Sequence, residues 1–151
     1  MNRLQLGVIL LPALLTGCAS LQKEEHVQCP YDTIWNAAVE TMRDRPISTQ
    51  DKERGLIETG WVEMAADGRG FGVFGRDAFD QKERARMIVE VKRAGAAADI
   101  TVTESRQRWH LRGGVTQQAT KWFPVEPSEQ AMDGVLRRLN DKLNKEGCSA
   151  A

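Results

Sequence analysis

The residues between Ala65 and Arg84 hold the densest candidate chemistry in the chain, centred on Gly68-Arg69-Gly70-Phe71-Gly72-Val73-Phe74-Gly75. Gly70, Gly72 and Gly75 fit the pattern G-x-G-x-x-G, in which small residues let a pyrophosphate approach the start of a helix, and Glu90 stands where an acid for the ribose would be wanted. The context does not fit. After Gly75 comes Arg76-Asp77-Ala78-Phe79-Asp80-Gln81, which has no apolar face to pack a helix on a parallel sheet. A chain of 151 residues also has no room for such a unit and a substrate domain. No cofactor is expected.

Other catalytic patterns are thin. Ser20, Ser48, Ser105, Ser128 and Ser149 sit in no Gly-x-Ser-x-Gly elbow, and neither His26 nor His110 has a local nucleophile to activate. His26 and Cys29 make one His-x-x-Cys spacing without the second ligand pair that a zinc site needs. Acid pairs such as Glu24-Glu25, or Asp77 with Asp80, read as solvated surface. The sequence therefore predicts no catalytic residue and no metal.

A different chemistry suits the 65–84 segment. Phe71, Phe74 and Phe79 would be costly to leave in water, and Arg69 and Arg76 stand among them. Aromatic residues and Arg dominate contact surfaces between proteins, so these five are the partner-binding candidates. The alternative is that they fold back on their own sheet. A connection of about twenty residues is long for a hairpin, and connections of that length are often functional or disordered.

Composition and the first residues bound the setting. Lys and Arg number 21 and so do Asp and Glu, which gives no basic field for nucleic acid. Arg3 precedes an apolar run from Leu4 to Leu15, about 18 Å as helix and too short to cross a bilayer core of roughly 30 Å. That is the plan of a secretory signal. It closes on Leu15-Thr16-Gly17-Cys18, which resembles the lipobox of bacterial lipoproteins. The resemblance implies a signal peptide over 1–17 and a diacylglyceryl group on Cys18, with more than one acyl chain for firm anchoring. It further implies the outer membrane, facing the periplasm, because Ala19 stands where an inner-membrane retention signal places Asp.

The periplasm is oxidising, so the two remaining thiols, Cys29 and Cys148, are expected to form a disulfide. Two unpaired cysteines are the alternative.

These residues need elements to position them. Residues 18–28 read as a lipidated polar tether, and 29–151 as one domain. From Pro30 to Asp44, Ile34, Trp35, Ala38, Val39 and Met42 share a helical face. Extended segments follow at 47–51, 56–64, 85–93, 99–111 and 115–123, with turns at Lys52-Glu53-Arg54-Gly55, 94–98 and 112–114. Ser128 is a suitable N-cap for a last helix whose stripe is Met132, Val135, Leu136, Leu139 and Leu143, with Gly147 beyond its end. Trp35, Trp61 and Trp122 read as core, while Trp109 reads as either core or exposed. The predicted fold is α+β: an antiparallel sheet of about five strands with the N- and C-terminal helices on one face.

The helix bearing Trp35, the turn Asp51-Lys52-Glu53-Arg54-Gly55 and the strand Leu56-Ile57-Glu58-Thr59-Gly60-Trp61 together resemble the repeated domain of BamC-type lipoproteins. The likeness covers roughly residues 30–145 and implies a helix-grip fold and an accessory role beside the β-barrel assembly machinery. It carries over no functional residues. The expected function is a non-enzymatic outer-membrane lipoprotein that binds another envelope protein. The alternative is a periplasmic carrier of a small ligand or lipid.

Overall fold

The computed structural model describes residues 21–65, 82–112 and 119–150. Their order is β1 (Gln22–Gln28), α1 (Tyr31–Thr41), β2 (Ile47–Asp51), β3 (Leu56–Thr59), β4 (Val62–Ala65), β5 (Lys82–Ala94), β6 (Ala97–Arg112), β7 (Ala119–Val125), α2 (Glu129–Lys145) and β8 (Ser149–Ala150). The strands form one antiparallel sheet in the order β2-β3-β5-β6-β1-β8. β4 continues the β3 lane alongside β5, and β7 continues the β1 lane alongside β6. The fold is α+β, with both helices packed against this sheet.

Strict alternation explains why one face carries the helices. On β5, Ala85, Met87, Val89 and Val91 are buried, and on β6 Ala98, Ile100 and Val102 are. Against them α1 sets Ile34, Trp35, Ala38 and Met42, and α2 sets Met132, Val135, Leu139 and Leu143. The intervening strand residues stay wet or half-wet.

Each helix is closed by local chemistry. Pro30 is the residue before α1, and its carbonyl accepts from Thr33 and Ile34. The Ser128 hydroxyl caps α2 by accepting the Ala131 N–H at 3.2 Å. At the other end Gly147 takes φ +77°, and the Cys148 N–H returns to the Leu143 carbonyl at 3.0 Å.

Residues 22–28 differ from the tether reading. They form β1, paired with β6 from Gln22↔Thr103 to Val27↔Ala98. Their polarity hides an alternation: Val27 is fully buried, while Lys23 reaches Glu129 and Asp133 on α2 and Glu25 accepts from Asn140 at 2.8 Å. The strand occupies what would otherwise be an open edge of β6. The extended segment 56–64 also differs, because it breaks at Gly60-Trp61. There the Thr59 hydroxyl accepts the Met87 N–H at 2.9 Å, and the Gly60 N–H goes to Pro46 at 2.7 Å. Among the described residues the sheet therefore has eight strands where about five were expected, the extra ones being β1, the split β4 and the two-residue β8.

Cys29 and Cys148 are joined as a disulfide, with Cα atoms 5.4 Å apart, within the ordinary range for such bonds. It ties the start of α1 to the end of α2, next to the short β1–β8 pairing.

Candidate contact surface on the arm

β5 and β6 pair along their whole length, from Ala94↔Ala97 to Glu83↔Arg108. The helices cover the half nearer the 94–97 turn. The other half, flanked by β4 and β7, runs past the helices as a four-stranded arm.

The arm's helix-side face is tied by charge. Glu83 and Glu104 are buried there, at 3% exposure each. Arg106 bridges them, donating to Glu83 at 2.9 Å and to both Glu104 oxygens at 3.1 Å. Arg108 donates to Glu83 as well, and Glu104 also accepts the Ser128 N–H at the start of α2. Burial alone would push the Glu83 carboxyl up. The hydrogen bonds and charges of Arg108 and Arg106 outweigh it and hold Glu83 below the usual Glu range. The same contacts hold the Arg106 guanidinium above its ordinary value, led by the hydrogen bond to Glu104. Both carboxylates are thus paired and bonded as buried charges must be, and they lock the arm to the helix layer.

The opposite, open face carries aromatic side chains. Trp109 and Trp122 are directly opposed across β6 and β7, with ring centroids 5.2 Å apart in an edge-on arrangement. The Arg84 guanidinium lies over Trp122 at 4.4 Å and over Trp61 at 4.5 Å. It is fixed there by two hydrogen bonds to the Gln107 amide, at 2.9 and 2.7 Å. Arg86 adds a contact over Trp61 and a 2.6 Å ion pair with Glu58. The result is a ladder of alternating aromatic rings and guanidinium planes, in which cation–π attraction and packing hold each Arg stem flat. It suits contact with a surface that is part apolar and part anionic.

Trp61 and Trp122 are accordingly not core residues. Both are half-buried on the open face, because Trp122 pairs with Trp109 and Trp61 lies beside Arg84 and Arg86. Both read as apolar-face positions in the sequence, but the β6–β7 register turns Trp122, and the break between β3 and β4 turns Trp61, to the open face. Trp35 is core, at 3% exposure, and Trp109 lies on the open face. A register for the β6–β7 hairpin would have placed Trp109 and Trp122 together, and that register was the missing signal.

The partner-binding candidates Arg69, Phe71, Phe74, Arg76 and Phe79 lie outside the described residues, as does Cys18. The strands flanking the first five end side by side, with Ala65 opposite Lys82. His26 pairs with Asp99 across β1 and β6 at 2.6 Å and is not near a second imidazole or thiolate ligand set among the described residues. No described helix is long and apolar enough to cross a membrane.

No protein-family model matches the chain, and no curated protein does.

Proposed function

We propose that this protein is a non-enzymatic lipoprotein, anchored through Cys18 in the outer membrane and facing the periplasm, that serves as an accessory or scaffold subunit for another envelope protein. The likeness to BamC-type lipoproteins makes outer-membrane protein assembly the setting. The observation that carries this reading is the arm. A four-stranded extension stiffened by buried ion pairs on its helix-side face is a rigid mount for contact beyond the helix layer. Its strands β4 and β5 end side by side, Ala65 opposite Lys82, and in the sequence they flank residues 66–81, which include Phe71 and Phe74. A lipid anchor raises the local concentration of such a module, so a modest interface suffices.

The carrier alternative has less support. The space between helices and sheet is filled by side chains such as Ile34, Met42, Met87, Ile100, Met132 and Leu139, all under 2% exposed. The groove of about 690 Å³ between α1 and α2 is open and includes Glu40, Arg43, Lys142 and Lys145 in its lining.

The test is photo-crosslinking in whole cells from positions 71 and 74 of the full-length protein, with identification of the adducts by mass spectrometry. Recurrent capture of one envelope protein is the expected outcome. Capture of nothing above a lipidation-only control would remove the scaffold reading.

A further inference from the structure

We infer that the open face of the arm, at Trp109 and Trp122, rests in the headgroup region of the membrane that holds Cys18. This rests on the lipid-anchor reading and adds to it an orientation and a contact surface.

Chain length limits how far the domain can stand from its anchor. Leu21 is already packed against the core, and β1 begins at Gln22 beside Thr103, midway along the sheet. Only three peptide steps separate Cys18 from Leu21, a reach of roughly 10 Å even when fully extended. From Thr103 the β6 strand runs on to Arg112, about 30 Å at ~3.3 Å per residue. A sheet standing on end would therefore drive its arm deep into the bilayer. The molecule must lie along the membrane.

Which side lies down follows from thickness. β1's inner side is covered by α2, through Lys23 to Glu129 and Asp133 and Glu25 to Asn140. A helix layer is about 10–12 Å thick, at least as much as the whole anchor can reach. The membrane therefore meets the open face and its β7 side.

That side has the matching chemistry. Trp residues favour the membrane–water interface, where a large apolar ring with one polar N–H is at home. Trp122 lies in the same lane as β1 and Trp109 is its direct cross-strand neighbour. Arg84, stacked on Trp122, makes its hydrogen bonds to the neutral Gln107 and has no carboxylate partner among the described residues. Its charge is available to a lipid phosphate.

The experiment uses the full-length protein purified from bacterial membranes, with its intact mass recorded, and reconstituted in vesicles of phosphatidylethanolamine and phosphatidylglycerol. Part of the lipid carries bromine near the top of the acyl chains, which quenches nearby Trp emission. The acylated wild type should lose much of its emission to the bromines. The Trp109→Phe/Trp122→Phe variant, which keeps Trp35 and Trp61, should lose clearly less, and its thermal unfolding would show that it is folded. An acylated protein whose emission the bromines leave intact, or whose quenching is the same in the double variant, overturns the inference while leaving the anchor standing. A protein that carries no acyl group on Cys18 overturns both. Quenching that is absent in vesicles, together with a protein crosslinked to position 122 in cells, would give this face to a protein partner instead.

Discussion

Trp109 and Trp122 face each other across β6 and β7 with their ring centroids 5.2 Å apart and their planes at 64°. Edge-on pairs of this kind add about 0.5–1.5 kcal/mol beyond the area they bury. A double-mutant cycle of Trp109→Ala and Trp122→Ala, read by urea unfolding, should return a coupling of about 1 kcal/mol. Full additivity would mean that the rings do not stabilise each other.

Acid should loosen the arm. Glu83 titrates below its ordinary value near 4.5 in the folded protein, so the unfolded chain binds more protons at low pH. Its contribution is complete above the ordinary Glu range and disappears as pH falls from there through the lowered folded value. Thermal unfolding followed from pH 7 to pH 3 should show the loss in wild type. In Glu83→Gln, which is less stable at pH 7, the acid slope should be shallower. Truncation to Ala leaves Arg108 without its carboxylate and Arg106 with Glu104 alone, and should cost roughly 1–3 kcal/mol. Equal acid slopes in wild type and Glu83→Gln would show that this carboxylate is not linked to folding.

Reduction should cost more than any single surface change. The Cys29–Cys148 bond spans a separation of 119 residues. Its removal frees on the order of 4–5 kcal/mol of unfolded-chain entropy in the chain-entropy account. Urea midpoints with and without reductant measure this, and Cys29→Ser/Cys148→Ser should match the reduced wild type. An unchanged midpoint would mean that β1 and β8 hold the termini without help.

Gly55 admits no side chain. It has φ +67°, its carbonyl accepts the Val91 N–H at 2.8 Å, and a Cβ there would stand 2.1 Å from the Val91 carbonyl oxygen. Gly55→Ala should cost on the order of 2–3 kcal/mol, since both the backbone conformation and the contact oppose it. A thermal midpoint equal to wild type would contradict that close approach.

Much of this fold can be read from the chain, and the limits have physical causes. The α2 stripe, its Ser128 cap and Gly147 stop are written in side-chain types whose local roles are strong. The turn at 52–55 announces itself through Asp51, whose side chain accepts the Arg54 N–H, and through Gly55. β1 is less legible, because Gln22–Gln28 has one apolar side chain and its partners on α2 are more than a hundred residues away. The Trp–Arg ladder is equally hidden. Arg84, Gln107 and Trp122 come from three strands and Trp61 from the break between β3 and β4, and only the tertiary register brings them to one face. The buried Glu83–Arg106–Glu104 set has the same origin. In sequence these are ordinary charges on strands with an exposed look.

The membrane anchor stands or falls on where the mature chain begins and what its first residue carries. The direct measurement is the mass of the N-terminal peptide of the protein isolated from bacterial membranes. The expected result is a chain starting at Cys18 and bearing a diacylglyceryl group, with the protein released to the soluble fraction in Cys18→Ser. An unmodified Cys18 in a protein still held at the membrane, or cleavage at another position, would contradict it.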